Sequence, residues 1–145
     1  MRASLVLFDI DGTLIRTGGA GIWAFGETST RLYGLPGGTD GLHFHGRTDR
    51  SLVCEFLRLH GIPETEAQIR RFMEGYTGFL AERLLQHRGE VCPGVEGLIR
   101  SLRETPNPPQ LGVLTGNSAR GAQLKLKAHG LEDLLSFGVY GEDDS

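Results

Sequence analysis

Apolar positions along this chain fall into short continuous runs and longer periodic ones. Residues 4 to 8, Ser-Leu-Val-Leu-Phe, form a continuous run bounded by polar residues, the pattern of a strand buried on both faces of a parallel sheet. That run stops at Asp9. From Ala20 to Tyr33, Ile22, Phe25, Leu32 and Tyr33 recur at roughly helical spacing until Gly34 and Pro36 interrupt them. A second helix is predicted from Asp49 to His60, with Thr48 or Asp49 as its cap, Leu52, Val53, Phe56 and Leu57 as its apolar face, and Gly61 as its stop. In the third, Thr65 and Gln68 have capping-box spacing ahead of Ile69, Phe72, Met73, Tyr76, Phe79, Leu80 and Leu84. The three helices occupy roughly residues 20 to 88.

Past Pro93 and Gly94, a fourth helix carries Val95, Leu98, Ile99 and Leu102 and must end at Pro106, Pro108 and Pro109. A short strand, Leu111 to Leu114, leads into Thr115. A helix from about Ser118 closes at Gly130, and Phe137 to Tyr140 reads as a third strand. Strands separated by helices imply parallel crossovers, so the fold class is α/β, with the first three helices as an insertion.

With 145 residues, 39% hydrophobic and 23% charged, the chain suits one soluble globular domain with a core. The formal charge is −3 and the Lys and Arg residues are scattered, without the basic stripe that nucleic acid requires. The apolar run before Asp9 is too short for a signal peptide or a membrane span, so a cytoplasmic address is expected. Cys54 and Cys92 lack the paired spacing of a zinc site and read as reduced packing residues. Glycine is abundant, with 22 residues, several placed where turns or close backbone approaches are needed.

The chemistry concentrates in Phe8-Asp9-Ile10-Asp11-Gly12-Thr13-Leu14, at the carboxyl end of a strand, where open α/β sheets bind ligands. Side chains alternate along a strand, so acids at i and i+2 point the same way and repel. A hard cation such as magnesium resolves the conflict and also grips a substrate phosphate. Gly12 and Thr13 supply a turn whose amide groups suit phosphate oxygens. An EF-hand is excluded, because Leu14 and Ala20 stand where Gly and Glu are needed. Thr17-Gly18-Gly19-Ala20-Gly21 lacks the Lys and Ser or Thr of a P-loop and reads as a hinge. In His43-Phe44-His45-Gly46-Arg47-Thr48-Asp49, Arg47 is the candidate to meet an anionic group of a substrate.

A hydrophobic strand running into Asp-Ile-Asp-Gly-Thr-Leu resembles the first motif of the haloacid dehalogenase superfamily, phosphoglycolate phosphatase-like branch. Gly112-Val113-Leu114-Thr115-Gly116-Asn117 is similar to its second motif. The resemblance implies a Rossmann-type parallel-sheet core from residues 1–16 and 90–145, with residues 17–89 as a helical cap. It implies a magnesium-dependent phosphatase acting on a small phosphorylated metabolite. Asp9 would be the nucleophile and Asp11 the general acid and base. Magnesium would be held by the Asp9 carboxylate and the Asp11 backbone carbonyl. Thr115 would bond a phosphoryl oxygen, helped by the Gly116 or Asn117 amide. The second Asp favours phosphoryl transfer over carbon–halogen cleavage. A sugar-phosphate mutase of the beta-phosphoglucomutase type is the alternative enzyme, and a non-catalytic fragment binding metal or phosphate is the other alternative.

The same family uses a Lys or Arg to neutralise nucleophile and phosphate, followed by a pair of acids that completes the metal site. Lys125 and Lys127 read as surface residues of the helix after Thr115. Glu142, Asp143 and Asp144 follow a strand expected to end roughly 9 to 10 Å from Asp9, too far for magnesium ligands that need about 2.1 Å. The C-terminal part of the core is thus expected to be missing, leaving an exposed sheet edge with apolar surface and a chain inactive by itself.

Overall fold

The computed structural model describes residues 4–135 and 137–142. Strand β1 (Leu5–Phe8) leads through a tight turn to β2 (Ile15–Arg16). Helices α1 (Ala20–Tyr33), α2 (Asp49–Leu59) and α3 (Glu66–Gln86) follow. Strand β3 (Glu90–Val91), α4 (Val95–Arg103), β4 (Gln110–Leu114), α5 (Ala119–Lys127) and β5 (Phe137–Val139) complete the order. The strands β1, β4 and β5 form one parallel sheet in the order β1-β4-β5, with Phe8 opposite Val113 and Leu114 opposite Val139.

Buried side chains gather in two clusters. One joins Phe8, Ile10, Leu14, Leu111 and Val113 to Ile99 of α4 and Ala122 and Leu126 of α5. The other is internal to α1–α3, where Phe25 lies 5.0 Å from Phe72 and 4.7 Å from Tyr76 between ring centroids, and Phe56 lies 4.9 Å from Phe72. Such ring pairs add about 0.5–1.5 kcal/mol each beyond the area they bury. The helical insertion therefore has a core of its own.

The expectation that β1 is buried on both faces is not met. Val6 and Phe8 pack on the first cluster, while Leu5 and Leu7 are 47% and 39% exposed. Register extends this bare face across the sheet through Leu114, Phe137 and Val139, all exposed. The cause is topological. The steps from β1 to β4 and from β4 to β5 run in the same direction, and crossovers of one hand then put α4 and α5 on the same face. The other face has no cover among the described residues, and β1 lies at a sheet edge.

The two-stranded antiparallel pairing of β2 with β3 was not foreseen. Ile15 faces Val91 and Arg16 faces Glu90, and the Cys92 amide donates to the Leu14 carbonyl at 2.8 Å. The chain thus enters and leaves the helical insertion side by side. Gly89 makes the approach possible: its φ is +78°, and a Cβ there would lie 2.1 Å from the Arg16 carbonyl oxygen. Strands of two residues carry too little periodicity to be read in advance. No helix among the described residues is long and apolar enough to cross a membrane.

Candidate active site

Both carboxylates of the first motif stand at the C-terminal end of β1, and both are exposed. The turn after them is wound around one carbonyl. Thr13, Leu14 and Ile15 all donate their amides to Ile10 O, at 3.2, 2.9 and 3.0 Å, and Gly12 donates to Ile15 O at 3.0 Å. The Gly12 and Thr13 amides, expected to meet phosphate, are therefore engaged inside the turn. Asp9 Oδ1 accepts from the Ile10 amide at 2.8 Å.

Strand β4 delivers Thr115 beside this turn because it pairs with β1 in parallel. The Thr115 hydroxyl oxygen accepts from the Asn117 amide at 3.1 Å and from Asn117 Nδ2 at 2.7 Å. With both lone pairs used, the hydroxyl hydrogen is what Thr115 has left to offer, which suits a donor to an anionic oxygen. Asn117 Nδ2 also donates to Asp11 Oδ2 at 2.8 Å.

Lys125 corrects the sequence reading. It is 4% exposed, and its ammonium donates to Asp11 Oδ1 at 2.9 Å and to Asn117 Oδ1 at 2.7 Å. The cation that balances the Asp11 carboxylate in this structure is a lysine. Its neighbour Lys127 is exposed, as expected. A signal was present in the sequence: Lys125 stands one turn from Gly121 and Ala122 and next to Leu126, on the buried stripe of α5. A buried lysine needs partners, and the charged one, Asp11, lies 114 positions away in sequence. Lys125 also settles the Asn117 orientation, because an ammonium can only donate and must face the amide oxygen.

Asp49 is the other residue missed. Thr48 is the N-cap of α2, its side chain accepting from the Ser51 amide, which leaves Asp49 free to point away from its own helix. Asp49 Oδ2 accepts from the Ser118 amide at 2.9 Å, and the Asp49 amide donates to Gly116 O at 2.7 Å. Burial pushes its carboxyl up to about 6, opposed by the Ser118 amide and by Lys125, and reinforced by Asp11 and Glu142. Gly116 has no room for a side chain, since a Cβ would lie 2.4 Å from the Arg47 carbonyl oxygen.

Arg47 comes to this junction by its backbone, whereas its guanidinium turns to the first turns of α2. Nη1 lies 2.7 Å from Glu55 Oε2, and Nε donates to Ser51 Oγ at 3.3 Å. Glu142 follows β5 and caps α5, accepting from the Ala119 amide at 2.9 Å. Asp143 and Asp144 lie outside the described residues.

Among the described residues, no group of three His, Cys, Asp or Glu gathers around one point. The donor set on offer is the exposed Asp9 carboxylate with the Asp11 main-chain carbonyl. These are hard oxygens of the kind magnesium takes alongside waters and substrate phosphate, so the residues present fit that ion. An open groove of about 520 Å³ runs between α4 and the loop after α5, lined by Arg100, Arg103, His129 and Leu134, and shares no residue with this cluster.

The fold has many solved relatives. The structure of CbbY from Rhodobacter sphaeroides in complex with phosphate superposes with a TM-score of 0.70 at 20% identity, over 97% of this chain and 64% of that one. A hydrolase from Pseudomonas syringae gives 0.68 at 24% identity, over 99% and 64%. A predicted phosphoglycolate phosphatase from Haemophilus somnus gives 0.66 at 21% identity, also over 99% and 64%. The chain thus spans less than two thirds of the length of these relatives. A search of curated protein sequences found no match. The family model for haloacid dehalogenase-like hydrolases matches residues 6–145, and the chain belongs to that family.

Proposed function

We propose that this chain carries the phosphoryl-accepting centre of a magnesium-dependent phosphatase for a small phosphomonoester. The observation that supports this reading best is the convergence on Asp11 of Lys125 and Asn117, with Thr115 in the same network, beside an exposed Asp9. An Asp9 oxygen attacks phosphorus, and the bond from phosphorus to the leaving oxygen breaks. Asp11, in its acid form, gives that oxygen a proton. Asp11 then takes a proton from water as the water oxygen attacks the aspartyl-phosphate, freeing Asp9 and inorganic phosphate. Thr115 donates to a phosphoryl oxygen, and the Lys125 ammonium offsets negative charge that gathers in the transition state. Magnesium, held by the Asp9 carboxylate and the Asp11 carbonyl, would supply further charge neutralisation.

The helical unit α1–α3, residues 17–89, serves as a cap that shelters the reaction from bulk water and selects the substrate, with Arg47 as the candidate contact. The CbbY relative was solved with phosphate and, as a variant, with xylulose-(1,5)bisphosphate, which supports a phosphorylated small molecule as the substrate class. A cytoplasmic address accords with that substrate.

The test is covalent. Beryllium fluoride with magnesium should form an acyl-phosphate mimic on Asp9, visible by fluorine NMR, and Asp9→Asn should abolish it. An adduct that persists in Asp9→Asn would end the proposal.

A further inference from the structure

Asp49 is 8% exposed and has no part in the chemistry above. It belongs to the helical unit, yet its amide and its carboxylate both bond to the loop after β4. The amide reaches Gly116 O and Oδ2 receives the Ser118 amide, so the two residues flanking Asn117 are held from the same point. Backbone packing tightens the junction: a Cβ on Gly141 would lie 2.1 Å from Gly116 O, as one on Gly116 would meet Arg47 O. Between its two anchored neighbours, Asn117 presents its amide to Asp11, to Thr115 and to Lys125.

We infer that Asp49 is a positioning residue for Asp11: the start of α2 grips both neighbours of Asn117, so docking of the helical unit and placement of the amide that orients Asp11 are one event. The catalytic meaning of this clamp rests on the phosphatase reading above. The charged groups facing Asp49 are Lys125 on α5, Asp11 after β1 and Glu142 after β5, with the Tyr76 phenol on α3. A neutral acid or amide at this position still accepts from Ser118, so placement and charge can be separated by substitution.

NMR exchange measurements on the full chain at pH 7.5 test the clamp. Asp49→Ala should speed exchange of the Ser118 amide and of the Asn117 side-chain amide hydrogens by at least about tenfold. The ladder amides between β1 and β4 should stay protected. Asp49→Asn, which retains the acceptor, should change the same rates by less than about threefold. A freed Ser118 with an unchanged Asn117 amide would overturn the inference, as would Asp49→Asn behaving like Asp49→Ala. Should Asp49→Ala not fold, an Asp49→Asn chain with an unprotected Asn117 side chain overturns it alone. Loss of beryllium fluoride uptake at Asp9 in the unsubstituted chain would remove the phosphatase reading and leave the clamp standing.

Discussion

The Lys125 ammonium lies 2.9 Å from Asp11 Oδ1 across 114 positions of sequence, joining the helix after β4 to the turn after β1. One end of this pair is buried and the other is 53% exposed on its side chain. Solvent therefore screens the carboxylate but not the ammonium, and removing each partner should have different effects.

Lys125→Met should cost about 1–3 kcal/mol in urea denaturation, below the 3–5 typical of a fully buried pair because Asp11 can turn to water. It should also weaken beryllium fluoride uptake at Asp9 by about tenfold or more, since a positive charge that faces the anion is lost. Asp11→Asn should be harsher on stability per atom changed. It keeps the shape but leaves Lys125 as a buried cation whose hydrogen-bond partners are both neutral amide oxygens.

Asp49 makes stability depend on pH with a definite sign. Its carboxyl is raised to about 6 in the folded chain from an ordinary 3.8, so the folded state holds the proton more tightly. The stabilising contribution is complete below about pH 4 and is lost as pH rises through about 6. Asp49→Asn should therefore raise stability above pH 6 by up to about 3 kcal/mol, taking about 1.4 kcal/mol per unit as an upper limit, with no gain below pH 4. Urea midpoints at pH 3.5, 5 and 7.5 check this; a gain that is largest at low pH would show the sign to be wrong.

Gly89→Ala should lose about 2–4 kcal/mol, because its backbone is left-handed and the new methyl meets the Arg16 carbonyl. Cleavage by added protease near residues 86–92 should accelerate in parallel. Gly78→Ala, within α3 and with open space around it, should be neutral or slightly stabilising, which makes it the control.

The bare sheet face of Leu5, Leu7, Leu114, Phe137 and Val139 should drive self-association. Sedimentation over a range of concentrations should show oligomers, and Leu7→Lys with Val139→Lys should shift them toward monomer. Folding free energy should move by less than about 1 kcal/mol, since neither side chain is packed.

What could be read in advance divides along physical lines. The span of α1 was legible to the residue because its stop is a glycine and its stripe is regular. The capping role of Thr65 was equally plain, its side chain accepting from the Gln68 amide. That Asp9, Asp11 and Thr115 lie side by side was legible because the two motifs end strands that pair. Lys125 was hidden since lysine is usually solvated, and only contact with Asp11 and Asn117 justifies its burial. Asp49 was hidden behind Thr48, because either could cap α2 and only the tertiary fold frees one for another task. The misjudged cover on β1 has a similar origin: apolar residues show that a face is oily, not which neighbour lies on it.

The adjacency of β2 and β3 reaches beyond this chain. Since the leads to the three helices pass about 4.5–5.5 Å apart, the sheet scarcely registers how much polypeptide is looped out between them. A foreign module with neighbouring termini can be spliced at Arg16 and Glu90 without re-routing the Asp9 turn. The three helices and the sheet are in that sense separable stretches of one polymer, joined where the start of α2 meets the loop after β4 and where α3 lies against α5.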